Sequence, residues 1–227
     1  MYRVFEDRRS AGRALVPELQ RLELEDPVIL GLPRGGIPLA YEIATALRAP
    51  LDTIVVRKLG VPSQPELAFG AIASGGIRVI NDDVIESLLS LDEETIERIA
   101  GRELQELRRR EQAYRLDRPY PDLGGKDVVL VDDGLATGAT MHAAAEAVQS
   151  RLPASVVVAV PVGSAAAVGR VAASVVGGRC RGSPGSGVGG GQVVWEWRRA
   201  GGVGVRGVGR GGWGRGGLGG AGGGGGG

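Results

Sequence analysis

The feature that most constrains this fold is the run Val128-Val129-Leu130-Val131, which passes directly into Asp132-Asp133-Gly134 and then into Leu135-Ala136-Thr137-Gly138-Ala139-Thr140. Successive apolar residues, β-branched except for Leu130 and without polar alternation, describe a strand covered on both faces. Such strands belong to parallel sheets, which need helices on both sides. Alanine-rich Ala139 to Val148 supplies one helix. Gly134 and Gly138 free the backbone before it, and Thr137 and Thr140 bring hydroxyls. The helix aims unpaired N–H groups and a positive dipole end at the loop, so a phosphate is the fitting occupant. Carboxylates facing a phosphate would repel it. Asp132 and Asp133 are therefore expected slightly apart from it, accepting hydrogen bonds from sugar hydroxyls and helping to hold a divalent cation. Read alone, Asp-Asp-Gly is also an ordinary polar turn with Thr137 as an N-cap.

Strand and helix patterns alternate along the chain. Apolar strands are expected at Pro27 to Leu32, Asp52 to Val56 and Ser155 to Pro161, with helices after Ser10, where Pro17 is expected to interrupt, at Pro38 to Leu47 and at Ala165 to Ala173. The fold class is thus α/β, with ligands beyond the carboxyl ends of the strands. Pro33-Arg34-Gly35-Gly36 repeats the strand, glycine loop, helix arrangement: Arg34 offers a charged fork, and the glycines let N–H groups approach an anion. Arg57-Lys58, at the end of the second strand, is a third basic element. The segment Leu59 to Gly70 reads as a Pro/Gly loop, and Phe69–Ala73 with Ile77–Asn81 as a hairpin around Ser74-Gly75-Gly76. Residues 82–118 form a helical insertion: Ser90-Leu91-Asp92-Glu93 fits a capping box, and Ile96, Ile99, Leu104 and Leu107 share a face. Arg108-Arg109-Arg110, among Glu103, Glu106 and Glu111, reads as a solvated, ion-paired face. Glu66 reads as a solvent-facing loop carboxylate, and the single histidine, His142, as a helix-surface residue.

Val128 to Thr140 resembles the phosphoribosyl pyrophosphate (PRPP) motif of the type I phosphoribosyltransferases. With LPRGG and VRKLG, the resemblance extends from about Tyr2 to Ala173 and is closest to bacterial phosphoribosyltransferase-domain proteins. It implies a parallel-sheet fold with helices on both faces, a mobile hood at about 59–81 and the insertion at 82–118. By position, Asp132 and Asp133 match the pair that binds the ribose hydroxyls and, mostly indirectly, Mg2+, and Leu135, Ala136, Thr137, Gly138, Ala139 and Thr140 match the 5-phosphate loop. Arg34, Gly35 and Gly36 match the pyrophosphate loop, in which a non-proline cis peptide is common. Arg57 and Lys58 assist there, and Arg34 and Lys58 are the implied catalytic residues. Gly134 departs from the larger residue many members carry. The implied reaction transfers a 5-phosphoribosyl group from PRPP to a nitrogenous acceptor, a nucleobase by preference, releasing pyrophosphate, in the cytoplasm and with a homodimer as a candidate assembly. The competing expectations are a PRPP-binding regulator without turnover and an inactive product of a frameshifted gene.

Composition bounds the remainder. Of 41 glycines, 26 lie in 177–227, which also holds all three tryptophans, the one cysteine and seven arginines against the single acid Glu196. That segment carries net +6, so the whole-chain +1 leaves −5 for residues 1–176, an acidic body without a general nucleic-acid-binding face. One cysteine forms no internal disulfide, and no apolar run is long enough to span a membrane. The domain is therefore expected to be 1–174, followed by a Gly/Arg-rich tail, 175–227, in which no run builds a core strand. Arg/Gly tails with aromatics can bind single-stranded nucleic acid. The abrupt shift to residues encoded by G-rich triplets favours disorder or out-of-frame translation instead.

Overall fold

The structure is a computed structural model that describes residues 5–62, 64–80, 84–85, 92–115, 118–163, 167, 171, 179–181 and 193–198. In chain order its elements are α1 (Arg8–Gln20), β1 (Val28–Gly31), α2 (Gly36–Leu47), β2 (Leu51–Thr53), β3 (Val56–Val61), β4 (Gln64–Ala73), β5 (Ile77–Ile80), α3 (Glu93–Arg115), β6 (Asp127–Val131), α4 (Ala139–Gln149), β7 (Ser155–Val160), β8 (Arg179–Arg181) and β9 (Val193–Arg198).

Every residue of β1, β6 and β7 is buried, as unbroken apolar runs require. They form the centre of a six-stranded sheet of order β2-β1-β6-β7-β9-β8, parallel from β2 to β7. Period-two alternation sends Ile29, Val129, Val131 and Val157 to one face, against α1 and α2, and Val28, Leu30, Val128 and Val158 to the other, against α4. The chain moves outward from β1 to β2 in one direction and from β6 to β7 in the other. A crevice therefore opens above the neighbouring ends of β1 and β6, where Gly31 stands opposite Val131.

Several expectations are corrected here. The Pro/Gly loop expected at Leu59 to Gly70 is largely strand: β3, β4 and β5 make an antiparallel sheet, and register shifts around Gly60 accommodate the irregular segment. The turn at Ser74-Gly75-Gly76 is where it was expected, with both glycines at positive φ. The second strand stops at Thr53 rather than Val56, so Arg57 and Lys58 lie on β3 of the smaller sheet. Pro17 does not interrupt α1, which continues through it. Beyond Val175, where no run was expected to build a core strand, β9, Val-Val-Trp-Glu-Trp-Arg, pairs antiparallel with β7, and β8 pairs with β9. β-Branched and aromatic residues suit that edge. Of the helix expected at Ala165 to Ala173, only Ala167 and Val171 lie among the described residues, both helical and buried.

The insertion helix α3 starts as expected, with Asp92 Oδ1 accepting from the Thr95 N–H at 2.8 Å. Ile96, Ile99, Leu104 and buried Leu107 pack on Leu59, Phe69 and Ile72 of the small sheet. Residues 90 and 91 of the expected capping box lie outside the described residues. At its far end Arg115 reaches Asp52 through two 2.9 Å bonds, which ties α3 to β2.

Candidate functional site

Two loops leave the adjacent ends of β1 and β6, and the spacing between those strands fixes how close the loops come. The Leu32 N–H donates to the Val131 carbonyl at 2.8 Å, continuing the strand pairing into the loop. A Cβ on Gly36 would lie 2.2 Å from the Val131 carbonyl oxygen, so only glycine fits there, and one on Gly35 would lie 2.2 Å from the Asp133 carboxylate, which would have to move aside. The peptide between Pro33 and Arg34 is cis, the non-proline cis bond that the resemblance implies for this loop. Gly35 then caps α2 without any side-chain hydrogen bond.

Asp132 follows the last buried residue of β6 and is itself partly buried. The Asp133 N–H donates to Asp132 Oδ1 at 2.8 Å. Burial pushes the Asp132 carboxyl up to about 7, the neighbouring Asp133 charge adds to the rise, and the Asp133 N–H and Arg8 oppose it. Asp133 is held from the opposite side by Arg8, whose Nε lies 2.9 Å and Nη2 2.8 Å from its Oδ2.

The expected phosphate loop divides its work between backbone and side chains. Leu135 turns its side chain into the core, and its N–H donates to the Val162 carbonyl at 2.9 Å, so it serves the loop through its position alone. Ala136, Thr137 and Thr140 are exposed. Gly138 has φ +77° and opens α4, which has no side-chain N-cap bond; a Cβ there would come within 3.0 Å of the Ala167 carbonyl. A helix begun in this way presents its first turn to an anion.

Beside these loops lies a cavity of about 1140 Å³, and it brings Arg34, Arg57, Lys58 and Thr140 together. Asp132, Asp133, Gly35, Gly36 and residues 135–139 of the loop are not among the residues that line it. Lys58 and Arg34 are exposed. Arg57 is already engaged: its Nε lies 2.7 Å from Glu103 Oε2 on α3. His142 pairs with Glu146 at 3.3 Å on α4, the surface role expected of it. The side chain of Glu66 lies outside the described residues. Among the described residues no cluster of three or more His, Cys, Asp or Glu side chains forms a metal cage, and no helix is long and apolar enough to cross a membrane. Two adjacent carboxylates nevertheless suit Mg2+, which keeps much of its water and takes other oxygens from substrate phosphates.

Sequence reasoning missed Arg8 and the cavity-facing side of α3. Arg8 lies 125 positions from its partner, and no local pattern announces such a pair. The α3 face was legible in principle, since Arg98, Arg102 and Arg109 recur at helical spacing.

Residues 10–186 match the phosphoribosyl transferase domain family. Two Mycobacterium tuberculosis proteins, from strains CDC 1551 and H37Rv and provisionally named phosphoribosyl transferases, are each 48% identical over 170 residues. The match covers 75% of this chain but only 38% of theirs. A crystal structure from Thermus thermophilus superposes with a TM-score of 0.69 at 47% identity, covering 76% of this chain and 81% of that one. By the match over 10–186 and the shared fold, the chain belongs to the phosphoribosyl transferase domain family.

Proposed function

We propose that the chain transfers a 5-phosphoribosyl group from PRPP to a nitrogen nucleophile of the nucleobase class and releases pyrophosphate. One observation carries this reading: a glycine turn suited to an anion and an acidic pair suited to sugar hydroxyls leave adjacent strands so close that a Cβ at Gly35 would meet the Asp133 carboxylate at 2.2 Å. A ligand joining a sugar to an anionic leaving group spans such a pair of loops.

In this reading Asp132 and Asp133 accept hydrogen bonds from the ribose hydroxyls, and the loop from Leu135 to Thr140 with the start of α4 receives the 5-phosphate. Arg34, Gly35 and Gly36 hold the pyrophosphate, with Lys58 and Arg57 beside them. When bound, Mg2+ supplies charge neutralisation on the pyrophosphate oxygens, with Asp132 and Asp133 positioned to assist through water. As the bond from the anomeric carbon to pyrophosphate breaks, negative charge grows on the leaving group. Arg34 and Lys58 stabilise that charge, and the nitrogen of the acceptor takes the vacated position. The small sheet β3-β4-β5 serves as the hood that limits water. The compartment for this chemistry is the cytoplasm.

The test is pyrophosphate release by the full chain with Mg2+, PRPP and a panel of purines and pyrimidines. At least one acceptor should raise release above the acceptor-free rate, and Asp132→Asn or Asp133→Asn should lower kcat/KM by at least about 100-fold. PRPP binding without turnover on any acceptor would replace this reading with a regulator. No PRPP binding, with both variants like wild type, would reject it.

A further inference from the structure

One part of the cavity wall is formed by α3, and its charge exceeds what the proposed PRPP contacts use. Arg98, Arg102, Arg109 and Arg110 line it from α3, adding to Arg34, Arg57 and Lys58 from the loop and β3. Among the described residues Glu103 is the one acid in that wall; it is buried and already shared by Arg57 and Arg102, at 2.7 and 3.2 Å. Arg109 and Arg110 share Glu106, each at 2.8 Å. Among the described residues no carboxylate forms an ion pair with Arg98, Arg34 or Lys58.

This charge is segregated rather than general. Residues 1–176 carry net −5, and α3 itself balances six arginines against six glutamates. Near the start of α3, Glu97 pairs with Arg78 of β5, and the exposed Asp92 feels the charge of Arg98 without forming an ion pair with it. Arg98, Arg102 and Arg109 share one helix face over about 16 Å at 1.5 Å per residue. In the reading proposed above, the 5-phosphate is received by loop N–H groups and the pyrophosphate by Arg34, Lys58 and their glycines. The arginines of α3 are therefore surplus to PRPP, and they come from a different element. A concave wall with this excess of one charge concentrates ligands of the opposite charge.

We infer that the acceptor carries a fixed negative group, a carboxylate or a phosphate, received by Arg98 and Arg102 of α3. This rests on the phosphoribosyl transfer reading and names the class of its second substrate. Arg98 and Arg102 are specificity residues: they bind the anionic substituent and leave the ring nitrogen directed at the ribose. Tyr114 and Ile99, on the same wall, offer apolar surface to the ring. With a neutral base, Arg98 would keep no ion-paired carboxylate among the described residues, and Arg102 only its share of Glu103.

The test is binding to the full chain with Mg2+ and saturating PRPP, so that the 5-phosphate loop is occupied, using pairs that differ in charge: uracil against uracil-6-carboxylate, nicotinamide against nicotinate, and adenosine against adenosine monophosphate. The anionic member should bind at least tenfold more tightly in the carboxylate pairs, the phosphate pair, or both, which identifies the group. The Arg98→Ala/Arg102→Ala double variant should erase that preference and leave PRPP affinity within twofold. Equal binding of the members of every pair, or a preference that survives the double variant, overturns the inference. PRPP affinity is measured first and separately, so failure of the transfer reading shows as loss of that affinity in the wild type, whereas failure of this inference leaves it intact.

Discussion

Asp132 sets a conflict between folding and ligand binding. Its carboxyl titrates near 7 in the fold against an ordinary value of 3.8, because burial disfavours the charged form. The fold thus holds this proton more tightly than the unfolded chain does. Its stabilising contribution is complete below pH 3.8 and lost as pH rises through about 7. Asp132→Asn removes an unfavourable buried charge, so at pH 8 it should raise the Tm by about 2–4 °C, corresponding to on the order of 1 kcal/mol after solvent screening. The gain should be smaller at pH 5. Melting curves at the two pH values check the sign, and an equal or larger gain at pH 5 would contradict it. The loop glycines separate function from stability in a different way. At Gly35 the obstacle to a side chain is the Asp133 carboxylate, whereas at Gly36 it is the backbone of β6. Gly35→Ala should weaken PRPP binding by at least about tenfold with a small change in Tm, because the acidic side chain moves aside. Gly36→Ala should lower the Tm by more, about 1–3 kcal/mol in stability, because a central strand must shift. Calorimetric titration and melting of both variants distinguish them.

At the scale of elements, α1 does more than cover one face of the sheet. Gly12 lets it lie directly on α2: a Cβ there would be 2.7 Å from the Leu39 Cα, inside the backbone of the other helix. That contact also fixes the start of α1, where Arg8 holds Asp133. Gly12→Ala should therefore cost about 1–3 kcal/mol of stability and also weaken PRPP binding, whereas Arg8→Ala should affect binding with little loss of stability. Equal Tm losses in the two variants would show that Arg8 is simply part of the helix packing. The long-range character of this pair explains what the sequence could and could not reveal. The central strands, both glycine turns and α2, α3 and α4 were legible because each writes its own pattern locally, in apolar runs, caps and helical spacing. The strand pair β3-β4 was not, since Gly60, Pro62 and Pro65 have the composition of a loop, and the strand conformation around the turn at Pro62 depends on pairing and on cover from α3. Arg57 had the same difficulty. Its partner Glu103 lies 46 positions away, and only the packing of α3 against β3 brings them together.

For the molecule as a whole, stability turns on the edge beyond β7. β7 is Ser-Val-Val-Val-Ala-Val, buried at every residue, and its outer backbone row is paired by β9 through register contacts from Ser155↔Arg198 to Val160↔Val193. Without β9, a flat apolar strand would present unpaired N–H and C=O groups, a template for association with another chain. Residues 199–227 are dominated by glycine and contain no run able to bury much apolar surface. Ending the chain at Arg198 should thus leave the Tm within about 2 °C, whereas ending it at Val176 should lower the Tm by several degrees and raise light scattering on heating. PRPP affinity, which in the proposed reading depends on loops at β1 and β6 on the far side of β7, should survive both truncations at low temperature. If the two truncated chains melt alike and stay equally clear, β9 contributes nothing to the edge, and the sheet is effectively complete at β7.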